Sequence, residues 1–253
     1  MTSPTIASAV LAAGKSTRMK AGTNKVLLPI LGKPMIRYQV EALRAAGIEK
    51  VFLIVGFQAE QVEAEIGKEA DYVLQAEQRG TGHALIQARK KLLSLGPHLD
   101  VVVTVGDNPY ITAKILRELI GVHKRTEAAA TIVSAVFDPP PPYGRIIRDA
   151  HGRVVKVVEE FDATPKERLI KEVHVSIYCF RASVVLPLLD EIKNDNTKKE
   201  YYLTDILGIL SGHGYKVETL ISDDPRITLG INTPEDLAEA ERYFAEMGSD
   251  LHI

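Results

Sequence analysis

The feature that most constrains the fold is a regular alternation of short apolar runs and helix-forming segments in the first half of the chain. The apolar runs predict strands at residues 5–11, 51–55, 71–74, 100–105 and 128–136, and the segments between them predict helices at residues 35–46, 58–66, 82–93 and 112–125. The run at 51–55 is apolar throughout, which is typical of a strand covered on both faces. Because alternating strands and helices favour parallel pairing, we predict an α/β fold with a mostly parallel sheet and helices on both faces.

The pattern changes at a run of four prolines, residues 139–142, which can join neither a strand ladder nor a helix interior. After it, the sequence predicts a β-hairpin with a Gly152-containing turn and then a mixture of strands and helices. The predicted strands are 145–148, 153–158, 173–180 and 215–221, and the predicted helices are 182–189, 203–210 and 233–247. We therefore expect one domain that carries a smaller β-rich subregion.

Composition narrows the classes of partner. With 31 Lys and Arg against 33 Asp and Glu, the net charge of −2 gives no basic excess that would favour nucleic acid. A single cysteine, Cys179, excludes an intrachain disulfide framework and suits a reducing compartment. No apolar run approaches the roughly 20 residues needed to span a bilayer, and the N-terminus lacks the pattern of a signal peptide. We expect a cytoplasmic protein with no membrane partner, and its oligomeric state stays open.

The stretch from Ala9 to Leu28 carries the clearest chemical signal. An apolar strand ends near Leu11, small residues and Gly14 follow, and four cations come next, which are Lys15, Arg18, Lys20 and Lys25. Small residues allow close backbone approach, and clustered cations neutralise phosphate charge, so the stretch is suited to polyphosphate. It matches neither a Walker A loop nor a dinucleotide fingerprint. The alternative is a strand and loop with solvated lysines.

Two more polar segments follow predicted strands, and ligands of open α/β sheets bind beyond the carboxyl ends of strands. The first, residues 75–84, contains glutamines suited to a nucleobase edge, although Thr81 could simply cap a helix. The second places Asp107 at a strand end, where a carboxylate could hold Mg²⁺ or merely form a turn. We expect these segments and the opening loop to converge on one site.

These residues also carry a family resemblance. Residues 11–19, 25–29 and 32–35 resemble the signature of the sugar-1-phosphate nucleotidyltransferases, and within them the uridylyltransferase domains that use N-acetylglucosamine 1-phosphate. The resemblance implies a Rossmann-like nucleotide-diphospho-sugar transferase fold. It divides the single domain, 1–253, into a nucleotide-binding half (1–137), a sugar-binding subregion (138–228) and a C-terminal metal-ligand loop and helix (229–253). Bifunctional members continue into a β-helix that carries acetyl transfer, and because this chain ends before one we expect no acetyltransferase activity.

The resemblance also implies roles for individual residues. Catalytic roles fall to Arg18, Lys25 and Asp107, and Mg²⁺ is expected on Asp107 and on Asn232, although Asn232 could instead belong to a helix cap. The nucleotide, UTP, is expected to contact Leu11, Ala12, Ala13, Gly14, Lys15, Gln75, Gly80, Thr81 and Gly106. The sugar 1-phosphate is expected to contact Gly144, Glu159 and His174.

One departure from the family pattern leaves the acceptor open. His174 stands where the uridylyltransferases have a sugar-contacting asparagine, and Val175 and Ser176 replace their threonine and glycine. The alternatives are a thymidylyl, guanylyl or cytidylyl transferase with another phosphorylated acceptor, or a non-catalytic sensor of nucleotide sugars. The complete set of cations and metal ligands favours an enzyme.

Overall fold

The computed structural model describes residues 5–14 and 24–247. Arg18 and Lys15, two of the predicted site residues, lie outside these ranges. The strands of the described ranges, in chain order, are β1 (Thr5–Ala12), β2 (Pro29–Ile30), β3 (Lys33–Pro34), β4 (Lys50–Val55), β5 (Asp71–Leu74), β6 (Leu99–Val105), β7 (Ala130–Val136), β8 (Arg145–Arg148), β9 (Val154–Val158), β10 (Glu172–Arg181) and β11 (Val217–Ile221).

The α-helices of the same ranges are α1 (Met35–Ala45), α2 (Ala59–Ile66), α3 (Thr81–Leu93), α4 (Ala113–Thr126), α5 (Ala182–Leu188), α6 (Asp205–Gly212) and α7 (Pro234–Met247). Short 3₁₀ helices occur between them, including Lys25–Leu27 and Pro225–Thr228. No helix in the described ranges is long and apolar enough to cross a membrane.

The sheet is mostly parallel, as predicted. Its strand order is β11-β7-β10-β6-β1-β4-β5, and the β8–β9 hairpin joins it where Arg145 pairs with Val173. β1 runs parallel to both β4 and β6, β4 runs parallel to β5, and β7 runs parallel to β11. β10 enters between β6 and β7 and is antiparallel to both.

Helices cover both faces of the sheet because its strands are apolar on both sides. One face packs against α3, α5 and α6 in a core that contains Leu85, Leu186 and Ile206. The other face packs against α1, α2 and α4. α7 lies apart on a small aromatic core, where Phe244 packs against Tyr38 and Tyr110.

The predicted strands and helices are all confirmed, with ends shifted by no more than two residues. The sequence did not predict the small β2–β3 hairpin, whose turn places Leu31 and Gly32 at φ +49° and +81°. Positive φ at leucine is uncommon, so no turn signal marked this hairpin. β10 and β11 of the predicted sugar-binding subregion are strands of the main sheet, and the proposed subdivision stays a prediction.

Candidate active site

A cleft of about 460 Å³ opens at the carboxyl ends of β1, β5 and β6. It brings together ten of the predicted residues, which are Leu11, Ala12, Ala13, Gly14, Lys25, Gln75, Gly80, Thr81, Asp107 and Asn232. The predicted convergence of separate loops is therefore present in the structure. Gly106 is not part of the lining. Its N–H donates to the carbonyl of Leu11 at 2.9 Å and so joins the segment after β6 to the end of β1.

Lys25 is positioned by a buried cap. The side chain of Asn24 accepts from the N–H of Val26 at 3.2 Å and donates to the carbonyl of Phe57 at 2.6 Å. This anchors the 3₁₀ turn Lys25–Leu27 to the loop after β4. The Lys25 ammonium then lies 2.5 Å from Asp107 Oδ2 and 3.1 Å from Asn232 Oδ1. Three groups more than eighty residues apart in sequence thus meet at one point.

The hydrogen bonds of the loop before α7 show that Thr233, and not Asn232, is the cap of this helix. Thr233 caps the helix, because its hydroxyl accepts from the N–H of Asp236 while Asp236 Oδ2 accepts from the N–H of Thr233. The amide of Asn232 instead donates to the carbonyl of Gly230 at 2.9 Å. Its Oδ1 accepts from the Lys25 ammonium. The carbonyl of Asp107 also accepts from the N–H of Ile231, which joins this loop to the end of β6.

The oxygens of Asp107 and Asn232 are chemically suited to a divalent cation. They converge on a positive charge, the Lys25 ammonium, from two different loops. Within residues 5–14 and 24–247, no group of three or more His, Cys, Asp or Glu side chains could hold a metal. One carboxylate and one amide oxygen, completed by substrate phosphates and water, is a typical protein contribution to a Mg²⁺ site.

Gln75, at the end of β5, is buried and held in one orientation. Its Nε2 donates to the carbonyl of Gly80 at 3.1 Å and lies 3.0 Å from His83 Nδ1. Burial lowers the pKa of His83, which favours a neutral ring that can accept this bond. Because a carbonyl only accepts, the amide nitrogen must face Gly80. Within the described part of the chain, no donor bonds the opposite amide oxygen, Gln75 Oε1, so it can accept from a ligand in the cleft.

The Gly80–Thr81 turn is joined to residues 201–203. The N–H of Gly82 donates to the carbonyl of Tyr201 at 2.8 Å, and the Thr81 hydroxyl accepts from the N–H of Leu203 at 2.9 Å. Thr81 therefore does not cap α3, whose N-cap is Gly80. The connection brings Glu200 to the cleft wall.

Two residues that line the cleft, Gln78 and Glu200, are not among the predicted site residues, although both lie in segments that the sequence analysis associates with the site. Gln78 lies within the predicted base-binding segment, but residue type alone could not separate it from Gln75. Glu200 belongs to the segment 200–205, which the family resemblance places beside the sugar pocket, and in the structure the bonds of Tyr201 to Arg79 and Gly82 bring this segment to the cleft.

The predicted sugar-contacting residues Gly144 and Glu159 lie together, although neither lines the 460 Å³ cleft. A Cβ at Gly144 would lie 2.9 Å from Val157 Cγ1, which is too close without a shift of that side chain, and in ordinary contact with Glu159 Oε2 at 3.4 Å. The Thr204 hydroxyl donates to Glu159 Oε1 at 2.8 Å. Burial raises the pKa of Glu159 even though this bond opposes the shift. Their contact with the sugar stays a prediction.

His174 lies at a β-bulge rather than on the cleft wall. The register of β10 against β7 shifts between His174 and Tyr178, and Ser176 takes φ +43°. The Ser176 N–H donates to His174 Nε2 at 3.0 Å, and the Tyr178 hydroxyl lies 2.8 Å from the same nitrogen. Burial lowers the pKa of His174 to about 3, so the ring is neutral. The imidazole thus satisfies a backbone donor freed by the bulge, and its predicted sugar contact stays a prediction.

Asp205, the first residue of α6, gives a pH prediction. Burial and the carboxylates of Glu159, Asp195 and Asp162 raise its pKa to about 6 from an ordinary 3.8. The folded state therefore binds the proton of the Asp205 carboxyl more tightly than the unfolded chain does. The stability that this protonation contributes is present below about pH 4 and is lost as the pH rises from about 4 through 6. Because the carboxyl is only partly buried, we expect Asp205→Asn to stabilise the fold by roughly 1 kcal/mol at pH 8, or about 2–4 °C in Tm.

Thermal unfolding of the wild type and Asp205→Asn at pH 8 and pH 4 measures this effect. The gain should vanish at pH 4. Asp190→Asn removes an exposed carboxylate that pairs with Arg89 at 2.6 Å, and it should give no gain at either pH. An Asp205→Asn gain of the same size at both pH values would show that ionisation is not its cause.

Comparison with known proteins identifies relatives over most of the chain. The sequence profile of the MobA-like NTP transferase domain matches residues 8–195. The bifunctional protein GlmU of Geobacillus sp. is 43% identical over 242 residues, which are 94% of this chain and 51% of that protein. The GlmU of Pelotomaculum thermopropionicum is 45% identical over 243 residues, which are 94% of this chain and 52% of that protein. The chain thus spans about half the length of the curated relatives it matches.

A solved structure supports the fold. The crystal structure of a putative glucose-1-phosphate thymidylyltransferase from Bacillus anthracis, in complex with a sucrose, superposes with a TM-score of 0.75. It covers 94% of both chains at 21% sequence identity. The likeness confirms the α/β fold class.

Proposed function

Because this chain belongs to the family of MobA-like NTP transferase domains, we propose that it transfers a nucleotidyl group from UTP to a sugar 1-phosphate. The products are a UDP-sugar and pyrophosphate. The observation that carries this proposal is the meeting of Lys25, Asp107 and Asn232 in a cleft that also contains the small-residue loop after β1. The similarity of this chain to the GlmU proteins supports N-acetylglucosamine 1-phosphate as the acceptor.

The proposed chemistry needs no side-chain base. A phosphate oxygen of the sugar 1-phosphate attacks the α-phosphorus of UTP, and the bond from that phosphorus to the bridging oxygen of pyrophosphate breaks. The nucleophile is already an anion, so positioning and charge neutralisation supply the catalysis. Lys25 supplies one positive charge at the cleft, and we assign Arg18 to the triphosphate and the departing pyrophosphate.

Mg²⁺ is the proposed cofactor, held by Asp107 and Asn232. When bound, it supplies charge neutralisation on the phosphates. The chain's own part is to keep two oxygens directed at one point. The Asn232 amide does so through its bond to Gly230, and Asp107 does so through the bond between its carbonyl and Ile231.

The orientation of Gln75 favours a uracil base. Its Oε1 can accept from the N3–H of uracil, whereas cytosine carries no hydrogen on N3. Thymine has the same N3–H, so this contact alone does not separate UTP from dTTP. We further propose that residues 1–137 bind the nucleotide, residues 138–228 bind the sugar and residues 229–253 supply the second metal ligand.

A panel of nucleoside triphosphates crossed with sugar 1-phosphates, read as pyrophosphate release, tests the proposal. We expect UTP with N-acetylglucosamine 1-phosphate to give the highest kcat/KM and to exceed CTP by about 10²-fold, since a site that hydrogen-bonds its ligand rejects a mismatched partner strongly. Gln75→Leu should reduce this preference. Gln87→Leu is a matched control, because Gln87 contacts the other ring nitrogen of His83 from an exposed position.

The same panel distinguishes the alternatives. Preference for dTTP, GTP or CTP would replace uridylyl transfer with the corresponding transfer. Failure of every pair to release pyrophosphate would favour a non-catalytic sensor of nucleotide sugars.

A further inference from the structure

The Lys25 ammonium occupies the point at which two candidate metal ligands converge. It lies 2.5 Å from Asp107 Oδ2 and 3.1 Å from Asn232 Oδ1, and only 11% of its side chain is exposed. Both contacts are direct ones between a cation and a hard oxygen acceptor. These are the oxygens that a divalent cation at this position would need.

Each of the three groups is anchored separately from the others. Lys25 follows the buried Asn24 cap, and Asp107 ends β6. The backbone N–H of Asn232 donates to Asp236 Oδ2 at 2.7 Å. The anchors lie on different elements, and the Lys25 ammonium contacts one side-chain oxygen of each of the other two residues. The Lys25 side chain, with its flexible four-carbon stem, is the part that can move.

We propose that Lys25 holds the place of the divalent cation in the metal-free enzyme, an inference that rests on the proposed function for the identity of the site. Asp107 and Asn232 are directed at a common point by their own bonds to Ile231 and Gly230, and the ammonium occupies that point. A divalent cation held by Asp107 and Asn232 would replace the contacts that the ammonium makes with their oxygens. Lys25 would then be available to the anionic substrates that share the cleft.

This exchange makes Lys25 a competitor of the metal. Removal of the ammonium should tighten metal binding, because the entering cation then has no bound charge to displace. The prediction concerns the enzyme without nucleotide, so it is independent of which nucleotide or sugar is used.

Mn²⁺ binding without substrates, followed by electron paramagnetic resonance of the free ion, tests the competition. We expect Lys25→Met to lower the Kd for Mn²⁺ by about tenfold relative to the wild type. Lys198→Met is the matched control. The Lys198 ammonium lies over the Phe161 ring, and its charge acts to lower the pKa of Glu159, but it has no contact with Asp107 or Asn232. Unchanged or weaker binding by Lys25→Met, or equal tightening by Lys198→Met, would overturn the proposal.

Amine labelling of the wild type provides a second measurement that does not depend on a variant's folding. Mass spectrometry after treatment with an acetylating reagent should show Lys25 protected in the metal-free protein and labelled several-fold faster when Mn²⁺ is bound. The exposed Lys198 serves as the internal reference. Continued protection of Lys25 at Mn²⁺ saturation would contradict displacement. Absence of pyrophosphate release would contradict the proposed function alone, since neither measurement uses turnover.

Discussion

Asp107→Asn is expected to lower kcat/KM for pyrophosphate release by about 10³-fold or more. The carboxylate at the end of β6 is the charged member of the Asp107–Asn232 pair, and asparagine would leave the proposed metal with two neutral oxygens. A loss of several kcal/mol of charge stabilisation in the transition state corresponds to this factor, since each tenfold change is about 1.4 kcal/mol. Initial rates with UTP and N-acetylglucosamine 1-phosphate, measured over a range of Mg²⁺ concentrations, give the result.

The same variant should keep its fold. Its ion pair with Lys25 is only partly buried, and asparagine retains an oxygen that can accept from the ammonium, so we expect a cost of roughly 1–2 kcal/mol. Circular dichroism and thermal unfolding check this. Asp71→Asn, which removes the surface pair between Lys50 and Asp71, is the control and should keep full activity. Activity of Asp107→Asn within tenfold of the wild type, with an unchanged Mg²⁺ dependence, would refute the metal assignment.

The sequence predicted most of the fold because strand and helix signals are local. Uniform apolar runs such as residues 51–55 and the cap at Thr112 identified their elements, and Thr112 does accept from the N–H of Ile115. The position of β10 could not be predicted in this way. Whether a strand enters a sheet parallel or antiparallel depends on long-range pairing, here between residues 172–181 and both β6 and β7.

The candidate site was predictable where loops follow parallel strands, since the carboxyl ends of such strands share one edge. That rule places Leu11, Gln75 and Asp107 together. Asn232 required the family resemblance, because only the bonds of Asp236 and Thr233 distinguish it from a helix cap. The role of His174 in the β10 bulge was not visible in the sequence, because a bulge is a property of two paired strands.

Gly80→Ala is expected to destabilise the protein by about 3 kcal/mol or more and to raise KM for UTP. Gly80 has φ +114°, which L-residues rarely adopt, and strain of this kind costs roughly 1–3 kcal/mol. A Cβ there would also lie 2.5 Å from the carbonyl oxygen and 2.7 Å from the nitrogen of Tyr201. Backbone atoms cannot rotate away as a side chain can, so the turn must separate from the segment that carries Glu200.

Displacement of the Gly80 turn should also weaken the proposed contact between Gln75 and the nucleotide base. The carbonyl of Gly80 accepts from Gln75 Nε2, so displacement of the turn frees the amide that is proposed to face uracil. We therefore expect the loss of stability and the rise in KM to occur together. Chemical denaturation and steady-state kinetics with UTP as the varied substrate measure the two effects on the same preparation.

Gly96→Ala separates the clash from the strain. Gly96 has a similar φ of +118°, but a Cβ there would meet nothing within 4 Å. Its alanine variant should carry the backbone strain alone, at roughly 1–2 kcal/mol, and should leave KM unchanged. Equal destabilisation by the two variants would show that contact with Tyr201 contributes nothing. An unchanged KM in Gly80→Ala would show that the turn does not position the nucleotide site.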